Sequence, residues 1–223
     1  MQPINVYLVR HGQTVFNIYH RMQGWANSPL TEQGIKDAEN AGKLLTDIDF
    51  KKAYSSDVMR AMQTAHVIMK ANKALTDQKI ELKPTSYFRE AYYGYFEGED
   101  IDVTWKMVGL TQGLHNLNEL MAKFSLDEIK DLMHAADPSR QAEMANHYWK
   151  RINDGFDIIR KENFPGDKVL LVSHSMTIRS IVQKFDTEHK FDVTKNPRNG
   201  SITKLAVTPE TIKIKYYDRT ENI

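Results

Sequence analysis

An apolar run that ends in a cation and an imidazole is the feature that most constrains how this chain can fold. Residues 4–9 form an apolar run with the length of a buried strand, and Arg10 and His11 follow it directly. A second apolar run, 168–172, leads in the same way to His174. Ligands of open α/β sheets bind at the carboxyl ends of the strands. The two runs therefore predict two histidines at one ligand-binding edge of a sheet.

Apolar runs alternate with segments of helical periodicity along most of the chain, which predicts a layered α/β fold with a largely parallel sheet. The predicted strands cover 4–9, 50–54, 80–85, 168–172, 201–207 and 211–217, the last two forming a terminal hairpin. Helices are predicted after Thr31 and after a cap at 55–57, and further helices are marked by apolar residues between 148 and 159 and between 176 and 185. The apolar face of the helix after Thr31 is predicted to contain Ile35, Ala38, Ala41, Gly42 and Leu45.

Residues 99–146 interrupt this alternation, because they are helical in pattern and contain no clear strand. Ser125 and Glu128 have the spacing of a capping box, which predicts a helix start. We therefore predict one domain, 1–223, with a helical insertion at 99–146 that forms a lid over the ligand site.

Composition narrows the classes of function. The chain has 223 residues, 41% hydrophobic content and a net charge of +1, which suits one domain and gives no basic surface for nucleic acid. It has no cysteine, which excludes disulfides and thiolate chemistry and fits a reducing compartment. The first strand follows Met1 closely, and no apolar run approaches the roughly 20 residues of a membrane span. The sequence thus predicts a cytoplasmic protein that binds neither nucleic acid nor membrane.

Histidine chemistry on a phosphate group is the activity that these residues favour. A neutral imidazole of His11 can attack phosphorus, provided that its other ring nitrogen donates to a fixed acceptor, which we expect in the following loop. Arg10 can grip two phosphoryl oxygens, and Gly12 lets the backbone approach the ligand. Arg60 is predicted in the first turn of a helix, where a second guanidinium would neutralise the transferred group.

The second histidine and a carboxyl group complete the candidate site. His174 would stabilise negative charge in the transition state. A serine hydrolase at Ser173 or Ser175 is disfavoured, because the chain has no Gly-x-Ser-x-Gly turn. Glu90 and Glu97 are both candidates for proton transfer, and the residues alone do not separate them. No spacing of the other histidines predicts a metal site, so we expect neither metal nor cofactor.

Five segments in order resemble the histidine phosphatase superfamily, also called the phosphoglycerate mutase-like family. They are 10–17, 22–34, 55–65, 90–98 and 173–174, and together they span nearly the whole chain. The resemblance implies a three-layer α/β/α sandwich, a phosphohistidine at His11, and Glu90 rather than Glu97 as proton donor. It also implies a phosphate pocket formed by Arg10, His11, Arg60 and His174, with further substrate contacts from Gly12, Asn17, Gln23, Gly24 and Ser175.

The family contains mutases and phosphatases, and the insertion favours a phosphatase. A mutase must hold a bisphosphate, yet residues 99–146 carry four basic and nine acidic side chains. We therefore predict a metal-independent phosphatase of small phosphomonoesters. The alternatives are a cofactor-dependent phosphoglycerate mutase and a catalytically silent module that binds a phosphorylated ligand. No interface is defined by the sequence, and the terminal hairpin is the candidate surface for a homodimer.

Overall fold

The computed structural model describes residues 2–75, 80–221 and 223. Its β-strands are β1 (Ile4–Arg10), β2 (Lys52–Ser56), β3 (Leu82–Thr85), β4 (Lys168–Ser173), β5 (Ile202–Val207) and β6 (Ile212–Arg219). Its α-helices are α1 (Val15–Ile18), α2 (Glu32–Leu44), α3 (Met59–Ala71), α4 (Ile101–Gly109), α5 (Leu117–Met121), α6 (Leu126–Ala136), α7 (Ala145–Glu162) and α8 (Ser175–Phe185). All six predicted strands are present, with ends shifted by at most two residues.

The strands form one mixed sheet in the order β3-β2-β4-β1-β5-β6. Strands β1 to β4 are parallel to one another, whereas β5 is antiparallel to both of its neighbours. Strands β1 and β4 are adjacent and in register from Asn5 and Lys168 to Arg10 and Ser173. This register brings the ends of the two apolar runs side by side at the carboxyl edge of the sheet.

Helices cover both faces of the sheet, because the central strands are apolar on both sides. Tyr7 and Val9 pack with the residues of α2 and α3, whereas Val6 and Leu8 pack on the other face with those of α7 and α8. This alternation follows the two-residue period of a strand. The α/β fold with its mostly parallel sheet, predicted from the pattern, is confirmed.

The predicted cap of helix α3 at 55–57 is wrong. Helix α3 has Val58 as its N-cap and no side-chain capping bond, because Ser55 and Ser56 extend strand β2 instead. Asp57 forms an ion pair with Arg89. Thr31 does cap α2 as predicted, by accepting a hydrogen bond from the backbone of Gly34.

The buried face of α2 differs from the prediction at one position. Ala38, Ala41, Gly42 and Leu45 are buried as expected, but the Ile35 residue is 43% exposed. Gly34, one residue earlier, is the buried residue of that turn. Because successive residues of a helix are about 100° apart around its axis, Ile35 lies that far around the helix from the buried Gly34.

The insertion, residues 99–146, contains helices α4, α5 and α6 and no β-strand. Ser125 and Glu128 form the predicted capping box at the start of α6. Among the described residues, no helix is long and apolar enough to cross a membrane. Strand β6 lies at one edge of the sheet, and a homodimer through the terminal hairpin stays a prediction.

Candidate active site

His11 lies just beyond the end of β1, and its ring is held in one tautomer. The Nδ1 atom is 2.8 Å from the carbonyl oxygen of Gly12, which can only accept, so Nδ1 carries the proton. This is the acceptor in the following loop that the sequence predicts. Burial first, and then the charges of Arg60 and Arg10, lower the pKa of His11 well below its usual value. The ring is therefore neutral near pH 7, and its Nε2 has an unprotonated lone pair.

His174 is the residue before helix α8 and is fully buried. Its Nδ1 accepts a hydrogen bond from Nη2 of Arg60 at 3.1 Å, because a guanidinium only donates. Burial and Arg60 lower the pKa of His174 well below its usual value, so the ring is neutral and its proton is on Nε2. This buried N–H has no hydrogen-bond partner among the residues that the structure describes, and the centroid of the His174 ring lies 5.2 Å from that of His11.

Two buried arginines flank the histidines. Arg60 is fully buried and donates to the carbonyl oxygens of Gly24 and Ala26, while Arg10 donates to that of Pro197. Burial lowers the pKa of each guanidinium to about 10, so both stay charged at neutral pH. Within the described part of the chain, the buried Nε atoms of both arginines have no hydrogen-bond partner. Unpaired buried donors are costly, and these fit an anionic ligand.

Glu90 is buried, and its carboxylate lies against the first turn of helix α8. Its Oε1 accepts hydrogen bonds from the backbone of Ala91 and from the backbone and hydroxyl of Thr177, and its Oε2 accepts from the backbone of Met176. Burial raises the pKa of Glu90, and these hydrogen bonds oppose the rise. The carboxyl group thus has a raised pKa, and its Oε2 accepts one hydrogen bond where Oε1 accepts three.

Glu97, the other candidate for proton transfer, has a different environment. Its two oxygens accept hydrogen bonds from the backbone amides of Gly24, Trp25, Ala26 and Tyr93. It does not line the cavity that contains His11 and Glu90. The structure therefore separates the two carboxylates, and Glu97 holds the loop whose carbonyl groups bind Arg60.

We expect the Glu97→Gln variant to lose stability while keeping its preference among leaving groups. A glutamine turns an NH2 group toward two backbone amides and leaves them unpaired, at a cost of about 2–3 kcal/mol. Urea unfolding measures this cost. The ratio of kcat/KM on an alkyl phosphate to that on an aryl phosphate should stay at the wild-type value; a changed ratio would give Glu97 a part in proton transfer.

Gly12 and Gly24, the two glycines predicted to contact substrate, lie tightly against other parts of the protein. Neither lines the cavity. A Cβ atom at Gly12 would lie 2.1 Å from the carbonyl oxygen of Gly34, and one at Gly24 would lie 2.3 Å from that of Ala91. Close contact with neighbouring carbonyl oxygens therefore favours glycine at both positions, and contact of Gly12 and Gly24 with a substrate stays a prediction.

Substitution of Gly12 by alanine is expected to destabilise the protein by about 3 kcal/mol, because the carbonyl oxygen of Gly34 cannot move without shifting helix α2. The control is Gly113→Ala, where a Cβ meets nothing within 4 Å and only the positive φ of 66° is unfavourable. That variant should lose about 1 kcal/mol. Equal losses in thermal unfolding would contradict the steric account.

A cavity of about 310 Å³ opens beside these groups. Of the predicted residues, Arg10, His11, Asn17, Gln23, Glu90 and Ser175 line it. Arg60 and His174 are not among its lining residues but lie next to two that are: Arg60 donates to the carbonyl oxygen of Gln23, and the ring centroid of His174 lies 5.2 Å from that of His11. Gln23 accepts a hydrogen bond from Thr14 through Oε1, and its buried Nε2 finds no partner in residues 2–75, 80–221 and 223. Gln23 thus adds one more unpaired donor.

Several residues of the cavity wall are not among the site residues predicted from the sequence. The insertion contributes Ile101, Asp102, Trp105, Asn116, Leu117 and Asn118, and other segments contribute Arg21, Met22, Tyr93, Met176, Arg179 and Asn196. Arg179 had a signal, since it follows Ser175 by one helical turn on the same face. No group of three or more metal-binding side chains occurs within the described part of the chain.

Comparison with known proteins identifies the family. The profile of the histidine phosphatase superfamily (branch 1) matches residues 6–220. A 2,3-bisphosphoglycerate-dependent phosphoglycerate mutase of Borreliella burgdorferi is 30% identical over 207 residues, 84% of this chain and 80% of that protein. The chain therefore belongs to the histidine phosphatase superfamily, whose members are phosphoryl-transfer enzymes that include mutases and phosphatases.

Two further similarities extend this assignment. The crystal structure of a phosphoglycerate mutase from Bacillus anthracis superposes with a TM-score of 0.89 at 36% identity, covering 98% of this chain and 94% of that one. The fructose-2,6-bisphosphatase TIGAR of Xenopus laevis is 41% identical over 95 residues, 42% of this chain and 34% of that protein. The similar proteins thus carry names of both reaction types.

Proposed function

We propose that the protein is a metal-independent phosphatase of phosphomonoesters that acts through a phosphohistidine at His11. The observation that carries the proposal is that the two neighbouring buried imidazoles are fixed in complementary tautomers. His11 has a free lone pair on Nε2, and the neighbouring His174 has an unpaired N–H on Nε2. One ring can attack phosphorus while the other donates to a phosphoryl oxygen.

In the first step, Nε2 of His11 attacks the phosphorus atom and the bond from phosphorus to the ester oxygen breaks. Arg10, Arg60 and the N–H of His174 stabilise the charge on the phosphoryl oxygens. The Gly12 carbonyl accepts from Nδ1–H throughout and so stabilises the positive charge that develops on the ring. These groups supply the electrostatic stabilisation that a metal ion would otherwise provide.

Glu90 transfers the protons in this scheme. Its Oε2 carries a proton that passes to the leaving ester oxygen, which departs as an alcohol. In the second step a water molecule loses a proton to the same carboxylate and attacks phosphorus. The bond from phosphorus to nitrogen breaks, inorganic phosphate leaves, and both His11 and Glu90 return to their starting states.

The cavity wall favours a phosphatase over a mutase. The six residues that the insertion contributes comprise one acid, two amides and three apolar side chains. The four basic residues of the insertion do not line the cavity, and Lys130 is buried against Asp127 and Ser180. A bisphosphate would therefore receive no cation from the insertion.

A phosphoglycerate mutase is the second candidate, and a specific observation favours it. Arg21 and Arg179 line the cavity in addition to Arg10, so the wall outside the insertion can offer cations to a second anionic group. The most extensive similarities described above are to mutases. Turnover separates the two candidates.

The test is an assay with a chelator present on a panel of phosphomonoesters that includes 3-phosphoglycerate with and without 2,3-bisphosphoglycerate. Phosphate release that continues in EDTA supports the proposal. Isomerisation without net phosphate release would identify a mutase. Binding of inorganic phosphate without turnover of any substrate would favour the silent binding module.

A further inference from the structure

Arg179 is a buried cation at the cavity wall. The residue is only 1% exposed, and no carboxylate lies within ion-pair distance among the described residues. An unpaired buried charge is expensive, and an apolar side chain of similar volume would avoid that cost. The contacts of the guanidinium show what the cation provides.

The guanidinium of Arg179 binds loop 193–200, which contributes Asn196 to the cavity wall. Its Nε donates to the carbonyl oxygen of Val193 at 2.7 Å, Nη1 to Oδ1 of Asn196 at 3.0 Å, and Nη2 to the carbonyl oxygen of Thr194 at 3.2 Å. Asn196 also accepts from the hydroxyl of Ser175. The first half of loop 193–200 is thus fixed to helix α8.

The second half of loop 193–200 contacts the groups that would bind and attack phosphorus. The carbonyl oxygen of Pro197 accepts from Arg10, and the side-chain amide of Asn199 donates to the carbonyl oxygen of His11 at 2.9 Å. The backbone of Gly200 donates to the carbonyl oxygen of Arg10 at 3.0 Å. A shift of loop 193–200 would therefore move Arg10.

Arg179 also reaches the insertion. Its Nη2 donates to the sulfur of Met121 at the end of helix α5. Leu117 and Asn118 of the same helix line the cavity. One side chain therefore connects the helix after His174, the loop on Arg10, and the insertion helix at the opposite wall.

We propose that Arg179 is a positioning residue, which orients Arg10 through loop 193–200 and holds helix α5 at the cavity wall. The planar fork of a guanidinium can bind these separate acceptors at once, whereas the single ammonium of lysine cannot. The role thus depends on the shape of the group as well as its charge. The turnover part of this inference rests on the proposed function, but binding of inorganic phosphate does not.

The experiment compares Arg179→Lys and Arg179→Met with the control Lys130→Met. Lys130 is also a buried cation that bonds to helix α8, through Ser180, but it does not line the cavity or contact loop 193–200. Calorimetry measures the Kd of inorganic phosphate, and thermal unfolding measures stability. We expect both Arg179 variants to weaken phosphate binding about tenfold or more. The control should lose stability and keep Kd within about twofold of wild type.

The lysine variant separates position from charge. A wild-type Kd in Arg179→Lys would show that charge alone suffices, and would overturn the proposal. Loss of stability with unchanged Kd in both variants would leave Arg179 a merely structural role and also overturn it. A wild-type protein that binds no phosphate would overturn it as well, whereas binding without turnover would overturn only the proposed function.

A double variant tests whether Arg179 acts through Arg10. If it does, Arg10→Lys combined with Arg179→Lys should bind phosphate no more weakly than Arg10→Lys alone. Losses that add in the double variant would contradict transmission through loop 193–200.

Discussion

Replacement of His11 by alanine is expected to abolish the phosphoenzyme and to lower kcat by about four orders of magnitude or more. The reason is that Nε2 of His11 is a neutral, unprotonated nitrogen beside buried donors, and alanine leaves no nucleophile there. A water molecule in place of the His11 ring would not be held with a lone pair aimed at phosphorus. Rapid-quench assays measure both the covalent intermediate and the rate.

The matched control for this prediction is His66→Ala. His66 is exposed on helix α3, and its Nδ1 donates a hydrogen bond to the carbonyl oxygen of Met62 in the same helix. This variant should keep wild-type kcat. A phosphoenzyme that persists in His11→Ala would refute the nucleophile assignment, and an equal loss in His66→Ala would point to damaged folding.

Replacement of Glu90 by glutamine is expected to lower kcat/KM on an alkyl phosphate by about 10²–10⁴. On p-nitrophenyl phosphate the loss should be no more than about tenfold, because that leaving group departs without a proton. The comparison of leaving groups is essential, since Glu90 also binds the start of helix α8 and the variant will lose some stability. Equal losses on both substrates would remove Glu90 as the proton donor.

The pH dependence follows from the directions of the pKa shifts. Because burial lowers the pKa of His11, the ring stays neutral well below pH 6.5, and acid should not limit it there. Because burial raises the pKa of Glu90, its proton is retained to higher pH and is lost as pH rises through that value. We therefore expect kcat/KM on an alkyl phosphate to fall with rising pH. In Glu90→Gln the fall due to this group should disappear, and only the ionisation of the substrate should remain.

Much of the fold could be predicted from the sequence, because strand and helix periods differ and the core residues follow them. The wrong cap prediction arose where pairing with a neighbouring strand, rather than local sequence, determines the secondary structure. Ser55 and Ser56 have the composition of a helix cap, yet they pair with Pro84 and Thr85 of the neighbouring strand and become buried. No local signal distinguishes these serines from capping residues.

The candidate site was predictable only where chain geometry fixes it. His11 and His174 follow parallel strands, so their proximity could be inferred from two apolar runs. Glu90 and Glu97 lie close together in the chain, and apart from the family resemblance nothing local separates them; in the structure, Glu90 contacts helix α8, more than 80 residues away, and lines the cavity. The insertion was predicted to cover the site, but the particular residues that face the cavity were not, since the direction in which these helices pack is set by tertiary contacts.

Direct detection of the phosphohistidine tests the central claim most directly. The wild-type protein, mixed with a phosphomonoester in EDTA and quenched in alkali within the first turnover, should gain one phosphoryl group. Peptide mass spectrometry should locate it on His11. A phosphoryl group on another residue, or hydrolysis in a single turnover with no covalent intermediate at any quench time, would contradict the account.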